Sequence, residues 1–223
     1  MLQSKSKKIL LYVFLLLLIG TFNNKDLNNL KFVKIKSISV AGLDEKDNFE
    51  LENDLNFLKI ENLFFLNKQK IIEIMNSNNL IEKYSVFKKY PSKIDIIIDQ
   101  TEFLAQFKKS NQIFLLGSNG KFIESNFFKS DIPIIFGDFK VKNFFDLKSA
   151  IQETNFIYKE IKNLYSFPSG RWDIETQNGF LIKLPKDNLK RSLELLTIFL
   201  DKNTEEEINE IDLRQINQII TNG

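Results

Sequence analysis

From Ile9 to Phe22 the chain runs fourteen residues without a charge, and beyond Phe22 apolar and polar positions interleave to the end. Lys5, Lys7 and Lys8 stand directly before that run. A run so apolar is costly to leave in water and natural to leave in lipid. Its basic flank belongs on the cytoplasmic side, which carries everything after Phe22 across the inner membrane. The pattern predicts a cytoplasmic tail over 1–8, a signal anchor over 9–22 and a polar linker over 23–32. At about 21 Å the run is short for a hydrocarbon core of about 30 Å, so it relies on Lys7 and Lys8 snorkelling at one end and Asn23 and Asn24 at the other. A cleaved signal peptide has a similar layout and stays open, although the triplets near Gly20 are poor cleavage sites.

Downstream, Val33 to Val40 alternates as a half-buried strand and closes at Gly42. Asp44 to Phe57 reads as a helix with acidic residues in its first turn, where the macrodipole favours them. A second helix starts after Asn67, a plausible cap, and turns Ile71, Ile72, Ile74, Met75 and Leu80 inward. Two strand-like runs, 81–89 and 94–99, flank the turn Tyr90-Pro91-Ser92. Residues 33–99 thus read β-α-α-β-β. Residues 100–223 are richer in hairpins: Gly117-Ser118-Asn119-Gly120 and Asn178-Gly179 are turn signals, each flanked by apolar runs. A short strand is expected within 131–136, helical spacing in part of 144–164, an amphipathic helix over 187–200, and extended chain over 208–212 and 215–221. The class is α+β, an N-terminal membrane helix followed by a small α/β unit and a mixed, mostly antiparallel β domain with flanking helices.

Composition narrows the chemistry. The 223 residues contain no Cys and no His, which removes thiol nucleophiles, imidazole bases, the Ser-His-Asp triad and His or Cys zinc ligands. The net charge of +2 is spread along the chain, unlike the concentrated basic face that nucleic acid requires. The acidic start at 44–54 fails as a calcium loop because Phe49 occupies the obligatory glycine position. Neither a cofactor nor a metal is expected, and the chain reads as non-enzymatic.

The order of elements and several short motifs resemble the FtsQ/DivIB family of bacterial cell-division proteins. Val33 to Gly42 is similar to that family's opening strand, Val86-Phe87-Lys88-Lys89-Tyr90-Pro91 to its aromatic-Pro turn, and Ile113 to Ile123 to its apolar hairpin. Arg171-Trp172-Asp173-Ile174 with Asn178-Gly179 and Lys183-Leu184-Pro185 resembles a second hairpin, and Ile211-Asp212-Leu213-Arg214 the closing strand. Gln100-Thr101-Glu102-Phe103 departs from the family's Glu-Arg-x-Pro, and Gln215 stands where an aromatic is usual. The resemblance implies a POTRA domain over 33–99, a β domain over 100–223, and a single-pass scaffold working at the division septum.

It also implies a partner, the FtsB subunit of an FtsB–FtsL pair, docked along the C-terminal strand. A strand at a sheet edge leaves N–H and C=O groups that another chain can satisfy. The expected docking residues are Arg214, Gln215, Ile216, Asn217, Gln218, Ile219 and Ile220, with Arg214 offered to a partner carboxylate. Secondary candidates are Trp172, as an aromatic anchor or simply a core residue, and Lys88, Lys89 and Tyr90, through which the POTRA domain could reach other division proteins. The alternative readings are a POTRA-type chaperone or secretion component for exported polypeptides, and a membrane-anchored cell-wall enzyme built on carboxylates.

Overall fold

A computed structural model of the chain describes residues 3–22, 34–63, 66–202, 208–215 and 218–222. Helix α1 (Gln3–Phe22) opens it, with Ile9 to Ile19 exposed on every side. Among the described residues no helix is long and apolar enough to cross a membrane. Lys5, Lys7 and Lys8 occupy the first turns of α1, so the expected span over 9–22 does not reach that length.

The first folded unit runs β1 (Ser37–Ala41), α2 (Glu45–Asp54), a 3₁₀ turn (Asn56–Ile60), α3 (Lys68–Ser77), β2 (Ile81–Lys89) and β3 (Lys93–Gln100). Its sheet has the order β1-β3-β2, with β1 parallel and β2 antiparallel to the central β3. Helix α2 begins with Glu45 and Asp47 beside its positive end, as the charge pattern predicts, but stops at Asp54, before the expected end at Phe57. Its Glu52 turns back to accept the Val40 N–H at 3.1 Å, tying helix to strand. At α3 the Asn67 side chain accepts the Gln69 N–H, a working cap. Leu51, Leu55, Leu58, Leu63, Ile71 and Met75 bury against Ile38, Val40, Ile94, Ile96 and Ile98. Ile72, expected in this core, is exposed, because the buried stripe of α3 is only one residue wide per turn. The opening strand begins at Ser37, after an isolated bridge from Lys34 to Asn62; Val33 and the linker expected over 23–32 lie outside the described residues.

The second unit contains β4 (Phe103–Lys109), β5 (Gln112–Gly117), β6 (Phe122–Ser125), β7 (Ile134–Phe136), α4 (Val141–Gln152), β8 (Ile161–Ser166), β9 (Trp172–Thr176), β10 (Leu181–Lys183), α5 (Leu189–Lys202), β11 (Glu210–Asp212) and β12 (Ile220–Asn222). They form one nine-stranded sheet, β12-β11-β10-β9-β8-β7-β4-β5-β6. Two parallel pairs, β7 with β8 and β10 with β11, are joined through α4 and α5 respectively. Both connections step the same way across strands of the same direction, so right-handed crossovers set both helices on one face. There they touch each other and share a core with Trp172, Ile174, Ile182, Ile211 and Leu213. The helical spacing expected through Leu164 ends at Gln152, and the later part of that stretch is β8.

The units meet at a polar joint. The Asn119 amide donates to the carbonyls of Asn79 and Ile81, and Lys121 Nζ donates to those of Asn76 and Asn78. Glu82 receives hydroxyls from Thr101 and Ser118. Thr101, part of the departure from the family motif, is therefore a joint residue and is buried.

Gly42 closes β1 at φ +121°, and a Cβ there would stand 1.9 Å from the Ile98 carbonyl oxygen. Gly179 at φ +90° has open space around it. Gly42→Ala is expected to cost about 3 kcal/mol or more, from a clash with backbone added to left-handed strain. Gly179→Ala, with strain alone, should cost about 1–2 kcal/mol. Denaturant titration of the two variants checks the difference, and equal costs would refute the close approach.

Candidate partner-binding edge

Among the described residues β12 is the outermost strand of the sheet. β12 pairs antiparallel with β11, Asp212 opposite Ile220 and Glu210 opposite Asn222, and its other side is the rim of the sheet. All three β12 residues are exposed. The strand is shorter and later than the sequence pattern suggests. Residues 213–219 carry the chain from β11 towards β12 without strand structure where described, and Ile216 and Asn217 lie outside the described residues. Gln215 accepts the Gln218 N–H at 3.3 Å as part of that return, and Ile219 is half-buried against the main core. The expected run Gln215 to Ile220 therefore reaches the edge only at Ile220.

A row of alternating charge leads to the rim. Asp173, Lys183 and Asp212 are direct cross-strand neighbours on β9, β10 and β11, and the next position in that row is Ile220. The row faces away from the helices, since its in-between neighbours Ile174, Ile182 and Ile211 are buried in the core. Lys183 Nζ bonds Glu210 at 2.6 Å. Arg214, expected to be offered to a partner, is engaged at home: its backbone N–H and its Nε both reach Asp212 at 2.9 Å, and Nη2 contacts the same carboxylate. A partner carboxylate would have to share that guanidinium or displace Asp212 from it.

Among the secondary candidates, Trp172 is 1 % exposed and packs edge-on near Phe144. It is a core residue and not a surface anchor. Lys88 points under the sheet and donates to the Leu63 carbonyl at 2.7 Å, holding the segment before α3. Lys89 and Lys93 both pair with Asp95, and Tyr90 is exposed. The sequence reading missed Phe87 and Ile97, which are half exposed on the face of the first sheet opposite its helices. Their signal was the alternation itself: if Tyr84 and Val86 face inward, Phe87 must face out.

The fold defines a class: a β-α-α-β-β unit joined by a polar contact to a mixed sheet whose outermost described strand is β12. Residues 33–99 match the family model of the FtsQ-type POTRA domain, and residues 105–214 that of the C-terminal part of the cell division proteins FtsQ/DivIB. The chain is 24% identical over 202 residues to the cell division protein FtsQ of Rickettsia bellii, covering 83% of this chain and 70% of that protein. It is 27% identical over 118 residues to the cell division protein DivIB of Clostridium botulinum, covering 53% of this chain and 44% of that protein. With FtsQ of Rhizobium meliloti the identity is 22% over 188 residues, 81% of this chain and 60% of that one. The extracytoplasmic domain of DivIB from Geobacillus stearothermophilus superposes with a TM-score of 0.35 at 15% identity, over 46% of this chain and 96% of that one. That superposition is too loose to argue from. The chain belongs to the FtsQ/DivIB family of cell-division proteins.

Asp212 is held below the usual aspartate range, first by the Arg214 side chain. Asp173 is pushed above it by burial, against the pull of Arg171, Arg214 and Lys183. Arg171 Nε lies 3.3 Å from Asp173 Oδ1 but without hydrogen-bond alignment, which explains why burial wins. The two carboxylates therefore affect stability in opposite senses. Asp212 adds stability that is present above its unfolded pKa and lost as pH falls through its lowered folded one. Asp173 is favoured by the fold in its protonated form, and that preference is lost as pH rises through its raised folded pKa. Carboxyl-carbon NMR titration is expected to find Asp212 below and Asp173 above the ordinary value, and Arg214→Ala should raise both. An unmoved Asp212 in that variant would contradict the pairing.

Proposed function

We propose that this chain is a non-enzymatic scaffold of the division septum that captures another division protein by strand addition at β12. The observation that carries the reading is the outer side of β12, a wholly exposed strand that has no second neighbour among the described residues. Backbone groups there supply affinity, and the row ending at Ile220, with Arg214 beside it, supplies choice of partner. The family resemblance names the partner as FtsB of an FtsB–FtsL pair. Strand addition would extend the sheet without unfolding it, and Arg214 would exchange part of its contact with Asp212 for a carboxylate of the incoming chain.

Ile220→Lys places a cation opposite Asp212, which the fold tolerates, and blunts the rim as lysines do on natural edge strands. It is expected to weaken FtsB capture by at least about tenfold while the thermal transition stays in place. Undiminished capture would remove β12 as the docking strand.

The same proposal seats α1 in the inner membrane, with the N-terminus cytoplasmic and the folded units periplasmic. Its support is a helix apolar on all sides from Ile9 to Ile19, with no polar face to turn to water. The charge-free run is short, so Lys7 and Lys8 would extend to the headgroups. The full chain is expected to stay with membranes through alkaline carbonate extraction. Leu16→Asp, costing about 3 kcal/mol at the helix centre, should release it. Release of the unmodified chain would refute the anchor.

A further inference from the structure

The opposite end of the nine-stranded sheet carries a second, unassigned surface. Phe107, Phe114 and Phe122 stand on neighbouring strands β4, β5 and β6, on one face, and Phe139 closes against them from the segment before α4. Ring centroids lie 5.0–5.5 Å apart for the contacts of Phe107, and Phe122 keeps 40 % of its surface exposed. Together they floor a groove of about 420 Å³. Its hairpin wall bears Lys108 and Lys109, neither of which has an ion pair among the described residues, while Asp138 stands on the other wall. A second groove of about 500 Å³, lined by Phe128, Ile134 and Phe136, shares Lys108, Gly137 and Asp138 with the first. The two form a continuous track around the end of the sheet.

Exposure concentrates here. The exposed phenylalanines of the second unit, among the described residues, are Phe122, Phe127, Phe128 and Phe136; Phe122 lines the first groove, and Phe128 and Phe136 line the second, on the other face of the sheet. Burying them would be favourable, and leaving so many together on a surface marks an interaction site. Among the described residues none of the POTRA unit lines either groove, and its Asn79 donates to the Phe122 carbonyl at 2.9 Å.

We propose that this track binds an extended acidic segment of another protein, one carrying aromatic side chains beside its carboxylates. The rings would stack edge-to-face on the phenylalanine floor, and the carboxylates would meet Lys108 and Lys109. Asp138 repels the same carboxylates from the opposite wall and so fixes the direction in which the segment lies. A linked pair of open grooves suits a peptide and not a small molecule, which needs a cavity that encloses most of its surface. The surface is distinct from β12. Eight strand-to-strand steps separate β6 from β12, about 38 Å, so both can be occupied at once.

The test uses the full chain in detergent and two short synthetic peptides, one alternating aspartate with phenylalanine and the other lysine with phenylalanine. Fluorescence anisotropy is expected to show the acidic peptide binding at least about tenfold more tightly. The preference should vanish in Lys108→Glu/Lys109→Glu, two exposed residues whose replacement leaves the thermal transition unchanged. In living cells, p-benzoylphenylalanine in place of Gln112, on the groove wall, should crosslink an acidic segment of another protein, and the crosslink should be lost on the same charge reversal. Equal binding of both peptides, no crosslink, a crosslink to a second copy of this chain, or a crosslink indifferent to charge reversal would each overturn the proposal.

Discussion

The C-terminal rim exists because α5 has to be buried. Leu193 and Leu196 are fully enclosed, each contributing about 1.5–3 kcal/mol, and they can be enclosed only if the chain folds α5 back over the sheet. A right-handed crossover from β10 then delivers the chain to β10's free flank, where β11 pairs in parallel. Backbone bonds from Leu181 to Asn209 and from Leu213 to Lys183 lock that pairing, and Ile211 and Leu213 seal the core beneath it. With β11 fixed, its outer side is the flank on which β12 pairs. The outermost strand is thus a consequence of helix burial several elements earlier.

The same logic orders the other end. β4, β5 and β6 follow one another as antiparallel neighbours, so the sheet's second rim falls on the strand joined most directly to the hairpin that holds the POTRA unit. Asn119 and Lys121 bind carbonyls at the end of α3 and the start of β2, and Glu82 draws in Thr101 and Ser118. These are directional bonds between polar groups, several of them charge-assisted, in place of an apolar seam. They set the angle between the two units while each keeps its own core.

Much of this was legible in the residues. Alternation located β2 and β3 almost to the residue, Asn178-Gly179 and Gly117 to Gly120 gave their hairpins, and Asn67 gave its cap, because each depends on local chemistry. What the pattern blurred depends on tertiary context. β8 and the end of α4 lie in one apolar stretch whose period changes midway, and only the sheet decides where helix yields to strand. The final strand begins later than expected because Gln215 to Ile219 is as apolar-polar alternating as a strand, yet Gln215, Gln218 and Ile219 are not part of it and β12 pairs with β11 only from Ile220. Arg214 is expected from the pattern to face a partner, but its bond to Asp212, two residues away, could not be read from spacing alone. Trp172 and Lys88 show a further limit: a large ring or a cation looks available in a sequence until the packing around it is known.

The length of β12 constrains how any docking there must work. Three residues present on their outer side only one or two backbone donors and about as many acceptors, each worth roughly 1 kcal/mol net. Micromolar binding requires about 8 kcal/mol beyond the cost of association. An incoming strand therefore cannot be held by the ladder alone. In the proposed docking it would continue onto the recess beside the end of β11, where Arg191 and Leu195 of α5 meet Leu213 and Arg214. Under that proposal side chains set into the recess, and not the number of backbone bonds, would decide which chain is accepted. The pairing of Arg214 with Asp212 would then act as a threshold under that proposal: a segment without a carboxylate in register would gain only the few backbone bonds, and one that has it would recruit a guanidinium already held in place.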